Sequence, residues 1–129
     1  MPKKVLLIDD EPDAVDFAKE IIESMGHTVV FAHDGDSGLE KMRLEKPDLV
    51  ILDVQMPGKD GFQVFNIIKQ DDDLKATPVI MLTGIKEKVG LGFSADDMGE
   101  YMGKKPEAYV EKPIEPGKLQ AAVNEVFGA

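Results

Sequence analysis

The chain has 129 residues, 43% of them hydrophobic, and no cysteine. One folded domain with its own core is therefore expected, while disorder, disulfides, thiol catalysis and thiolate metal sites are excluded. Lys and Arg total 15 against 25 Asp and Glu, a net charge of −10; that balance opposes nucleic-acid binding, which draws on cationic contacts with phosphate, and favours cations and basic protein patches.

The apolar run after Lys3-Lys4 is only Val5 to Ile8, too short for a signal peptide or a membrane span. A cytoplasmic protein without membrane or direct nucleic-acid contact is the expectation. Val5-Leu6-Leu7-Ile8 reads as a buried strand ending at Asp9-Asp10-Glu11-Pro12. Ala14, Phe17, Ala18, Ile21, Ile22 and Met25 then form one stripe of an amphipathic helix, which Gly26 stops. Thr28 to Ala32 is a β-branched, aromatic strand. Asp34-Gly35 turns into a helix carrying Leu39, Met42 and Leu44, ended by Lys46-Pro47.

Leu49-Val50-Ile51-Leu52 is the clearest strand, buried on both faces, with Asp53 at its tip and Pro57-Gly58 turning beyond it. Asp60-Gly61 leads to a helix with Phe62, Val64, Phe65, Ile67 and Ile68, and Asp71-Asp72-Asp73 is a solvated turn. Pro78 to Leu82 is a fourth strand ending at Thr83-Gly84. The glycine-rich stretch 85–107 is expected to hold one helix near 94–103, with Met98 and Met102 in its packing. Ala108 to Glu111 is a fifth strand, followed by Lys112-Pro113. Pro116 starts a last helix carrying Leu119, Ala122, Val123, Val126 and Phe127.

Strands alternating with helices of these lengths imply an α/β fold: a parallel, doubly wound sheet with right-handed crossovers and helices on both faces. All strand tips then share one edge, where open α/β sheets bind ligands. That edge collects Asp9, Asp10, Asp53, Thr83 and Lys112. Converging carboxylates repel one another unless a cation lies among them. Oxygen ligands with room for water and phosphate suit Mg2+ better than a full Ca2+ cage. A lysine and a hydroxyl opposite can hold phosphoryl oxygens, and a carboxylate can be the nucleophile. Asp53, on the central strand, is the best candidate.

Four segments in this order resemble the receiver domain of two-component response regulators, of the stand-alone chemotaxis kind. They are Leu6-Leu7-Ile8-Asp9-Asp10-Glu11-Pro12, Leu49 through Gly61, Pro78 through Gly84, and Tyr109-Val110-Glu111-Lys112-Pro113. The resemblance implies a single receiver domain over 1–129, without an output domain, in the flavodoxin-like strand order 2-1-3-4-5. It implies that Asp53 accepts a phosphoryl group from a sensor histidine kinase or a small donor. Asp10 would ligate Mg2+ (or Mn2+) directly, Asp9 through water, and Gln55 through its main-chain carbonyl, with Asp53 completing the set. Thr83 and Lys112 would bind the phosphoryl, Thr83 and Tyr109 would act as the switch, and Lys112-Pro113 would be a cis bond. A downstream protein or phosphotransfer protein would read the state, and the protein would be a monomer or weak homodimer. The stretch between Thr83 and Lys112 is longer than is usual in that family by roughly two helical turns.

Other readings of the residues are weaker. A Mg2+-dependent aspartyl-phosphate phosphatase of the haloacid-dehalogenase type needs an acid two positions after the nucleophile, where Gln55 stands. A flavin or nucleotide carrier needs an anion-cradling loop where Asp9-Asp10-Glu11 stands. Gly90-Leu91-Gly92-Phe93-Ser94-Ala95 matches a dinucleotide pattern but does not directly follow a strand. His27 and His33 read as strand-flanking residues.

Overall fold

The computed structural model describes residues 3–54, 60–83 and 106–128. Gln55, the expected helix near 94–103 with Met98 and Met102, and the glycine pattern at 90–95 lie outside the described residues. Five strands run β1 (Lys4–Ile8), β2 (Thr28–Ala32), β3 (Leu49–Asp53), β4 (Val79–Thr83) and β5 (Ala108–Glu111). The described helices are α1 (Pro12–Ser24), α2 (Gly35–Glu45), α3 (Gly61–Gln70) and α4 (Pro116–Phe127). All strand pairs are parallel, in the order β2-β1-β3-β4-β5, as the alternating pattern and the resemblance implied.

The pleat divides the core in two. Leu6, Ile8, Val50, Leu52, Val79 and Met81 face α2 and α3, meeting Leu39, Met42, Val64, Phe65 and Ile68. Val5, Leu7, Leu49, Ile51, Ile80 and Leu82 face α1 and α4, meeting Val15, Ile21, Ile22, Leu119 and Val123. Leu49 to Leu52 are fully buried, which accounts for a run without polar alternation. Each such aliphatic side chain contributes about 1.5–3 kcal/mol by leaving water.

Local signals set the helix ends. Pro12 and Pro116 occupy first turns, where no N–H is needed. The Asp34 carboxylate caps α2 by accepting from Ser37 N–H at 2.7 Å. Asp60 and Gln63 form a reciprocal capping box on α3, each side chain bonding the other's backbone at 2.9 Å. Lys46 closes α2 in the left-handed region (φ 49°), directly before Pro47.

Two readings of the sequence are corrected in detail, and a third is extended. The buried line of α1 is Val15, Ala18, Ile21 and Ile22, not the line through Phe17, whose ring is 44% exposed. Phe17 lies in an open groove with Pro113 and Ile114 rather than on the sheet. Leu44 is 73% exposed, because at 100° per residue it falls well away from the Leu39–Met42 face. The acidic turn after α3 is anchored by Leu74, 5% exposed, which the run of aspartates concealed.

Candidate functional site at the strand tips

Register brings the tips together. Ile8 pairs with both Ala32 and Leu52, Asp53 with Leu82, and Thr83 with Glu111. Asp9 follows Ile8 and Asp53 follows Leu52, so alternation sends both carboxylates toward the α1/α4 side. Lys112 lies two residues beyond Val110, which packs on that same side. Backbone bonds brace the edge: Asp9 N–H donates to the Ala32 carbonyl at 3.1 Å, Val54 N–H to Leu82 at 3.0 Å, and Lys112 N–H to Thr83 at 2.7 Å.

Glycine at position 61 lets α3 close against the backbone of Asp53 and Val54. Gly61 N–H donates to the Val54 carbonyl at 2.8 Å. A Cβ there would collide with the Asp53 carbonyl and the Val54 Cα. The position of Asp53 is thus fixed by α3 as well as by β3.

Asp9, Asp10, Glu11 and Asp53 each present a carboxylate oxygen, all within 4.8 Å of one another. Asp9 and Asp53 are 2% and 3% exposed, Asp10 is half-buried and Glu11 is exposed. Lys112 Nζ lies 2.9 Å from Asp9 Oδ2, 3.1 Å from Glu11 Oε1 and 3.3 Å from Asp53 Oδ1. Burial pushes the Asp53 carboxyl up to about 7, and the Asp9 charge adds to the rise while Lys112 opposes it. Burial alone would pull Lys112 down. Its close contact with Asp9 and the Asp53 charge outweigh that and hold it above its ordinary value. The lysine is therefore a fixed cation.

One lysine does not satisfy this cluster. Asp9 Oδ1 accepts Glu11 N–H at 3.0 Å. Asp9 Oδ2, although 2.9 Å from the ammonium, is buried without a hydrogen bond of acceptable geometry. That contact is an ion pair only. An orphaned buried carboxylate oxygen beside the Asp10 and Asp53 carboxylates is what a small hard cation would satisfy, so these donors fit Mg2+.

Thr83 ends β4 and is 3% exposed. It follows Leu82 and so stands on the α2/α3 side, opposite in parity to Asp53. Tyr109 pairs with Met81, two residues below Thr83, and packs against the α2/α3 core. Burial pushes its hydroxyl up to about 12. Lys112-Pro113 is a cis peptide. The sequence reading did not assign a site role to Glu11. Its signal was its place at the α1 N-cap, where Glu is not a favoured capping residue. His33, read only as strand-flanking, places Nδ1 3.1 Å from the Asp9 carbonyl.

A sequence model of the response regulator receiver domain matches residues 5–124. The alkaline phosphatase synthesis transcriptional regulatory protein PhoP of Bacillus subtilis is 35% identical over 131 residues, covering 98% of this chain and 49% of PhoP. Protein PilH of Pseudomonas aeruginosa is 31% identical over 126 residues, covering 96% of this chain and 97% of PilH. Among solved structures, the chemotaxis protein CheY4 of Vibrio cholerae superposes with a TM-score of 0.82 at 26% identity, over 98% of this chain and 99% of that one. The chain spans about half the length of the first curated relatives it matches.

Proposed function

The chain belongs to the response regulator receiver family, and on that premise we propose that Asp53 is its phosphoacceptor. It is a phosphorylation-switched signalling module of a two-component system. The observation that supports the assignment best is Lys112 set 3.3 Å from the Asp53 carboxylate and 2.9 Å from that of Asp9, at the tip of the central strand.

In the proposed reaction an Asp53 carboxylate oxygen attacks phosphorus. The bond from phosphorus to the donor's imidazole nitrogen, or to the acyl oxygen of a small donor, breaks in line. The electron pair leaves with the donor. Asp53 becomes an acyl phosphate, and Lys112 lies close enough to pair with the new phosphoryl oxygens. Thr83 is proposed to turn its hydroxyl toward them, with Tyr109 following behind on the same side of the sheet. Asp9, Asp10 and Asp53, with the main-chain carbonyl of Gln55, are the proposed Mg2+ ligands. Bound Mg2+ supplies charge neutralisation of the phosphoryl oxygens.

The proposed donor is a sensor histidine kinase, and the proposed reader is a downstream protein or a phosphotransfer protein. The proposed place of action is the cytoplasm. Regulation rather than turnover is the proposed role, so the chain acts as substrate of its own phosphorylation. The transcriptional role in PhoP's name is a property of that longer protein, and it is not carried over. Neither the described residues nor the comparisons favour the phosphatase alternative.

The test is incubation with Mg2+ and acetyl phosphate or phosphoramidate, read by intact mass. The expected result is a gain of one phosphoryl that Asp53→Asn abolishes. Equal labelling of the Asp53→Asn protein would place the acceptor elsewhere.

A further inference from the structure

We propose that Glu11 is a positioning residue that competes with the phosphoryl group for Lys112, and so sets the affinity of the site for anionic phosphodonors. The inference rests on the reading of Asp53 as phosphoacceptor.

Glu11 is the N-cap residue of α1 (φ −98°, ψ 110°), yet its side chain makes no capping bond. Helix formation does not account for it, since caps are normally Ser, Thr, Asp or Asn. Its carboxylate instead reaches back across the groove. Oε1 accepts a hydrogen bond from Lys112 Nζ at 3.1 Å, between residues 101 positions apart in sequence.

The base of this side chain is fixed. Glu11 N–H donates to Asp9 Oδ1 at 3.0 Å. Pro12 holds the preceding residue in the extended region, where Glu11 lies. Glu11 is thus tied by its backbone to one buried carboxylate, while its side chain holds the lysine that serves both.

Lys112 Nζ hydrogen-bonds Glu11 and lies in ion-pair range of Asp9 and Asp53. A phosphoryl group on Asp53 must draw that ammonium away from Glu11. The side chains of Asp9 and Asp53 are 3% and 5% exposed, whereas that of Glu11 is 66% exposed. Water replaces an exposed partner with little loss, and exposed ion pairs are weak. Glu11 is therefore the partner that yields. Until it does, it draws the ammonium toward the mouth of the site and adds a negative charge where an anionic donor must enter.

Two variants separate contact from charge. Glu11→Gln keeps the length and loses the charge, while Glu11→Asp keeps the charge and loses the reach. Phosphorylation rates of the full chain are measured against acetyl phosphate concentration, with Mg2+ affinity measured by calorimetry. The expected result for Glu11→Gln is an apparent KM for acetyl phosphate lowered about two- to fivefold, with the maximal rate and Mg2+ affinity little changed. Glu11→Asp should lower KM as well, because it can no longer hold Lys112.

A wild-type KM in both variants overturns the proposal. So does a wild-type KM in Glu11→Asp alone, which would assign the effect to charge without contact. A several-fold loss of Mg2+ affinity in Glu11→Gln also overturns it, since Glu11 would then be a metal ligand. Absence of labelling in the wild type would instead remove the phosphoacceptor reading itself, which keeps the two failures apart.

Discussion

Replacing Asp53 with Asn should stabilise the metal-free protein, by an amount that depends on pH. The folded protein raises the Asp53 carboxyl from 3.8 to about 7. It therefore holds the proton more tightly than the unfolded chain does. Between about pH 4 and pH 7 folding takes up a proton at this site, so stability falls as pH rises through that window and levels off above it. At about 1.36 kcal/mol per pH unit the ceiling is about 4 kcal/mol. An amide carries no such titration, and it leaves Lys112 paired with Asp9 and Glu11. Urea unfolding tracked by circular dichroism, with a chelator present, would measure the gap at several pH values. The variant should be more stable by about 2–4 kcal/mol at pH 8, and the gap should close toward pH 4. A gap that does not change with pH, or a less stable variant at pH 8, would refute the picture of an Asp53 carboxylate ionised against its surroundings.

Two further outcomes are expected. Asp10→Ala should leave the metal-free protein at least as stable as wild type and abolish stabilisation by Mg2+. In the wild type that stabilisation is about 2.7 kcal/mol when Mg2+ is at a hundred times its Kd, read as a shift in melting temperature. Gly61→Ala should destabilise by about 1–3 kcal/mol and slow phosphorylation at Asp53, because the added methyl meets the Asp53 carbonyl. Unchanged labelling kinetics would show that α3 does not position Asp53.

The sheet was legible because its residues carry redundant signals. Leu49 to Leu52 are β-branched or Leu without polar interruption, and Asp60-Gly61 marks the start of the next helix. The convergence of Asp9, Asp53 and Lys112 came from topology, since parallel strands place every C-terminal tip on one edge. Facing was harder to read. Phe17 and Leu44 extend apolar stripes in the sequence but turn away from the sheet, because a stripe fixes a helix's period and not its rotation. Glu11 escaped notice for a related reason. Its partner is 101 positions away, and the one local sign, a Glu at a helix N-cap, does not say what its side chain meets.

The parity of the pleat has one more consequence. Asp9, Asp53 and Lys112 stand on one side of the sheet, while Thr83 and Tyr109 stand on the other. Beneath the tips lies a wall of aliphatic side chains, with Ile8, Leu52 and Met81 wholly buried. The described side chains of that wall are apolar. Movement of Asp53 would press on side chains that have no room to give. Close packing hands that movement on, because an interior without voids cannot absorb it.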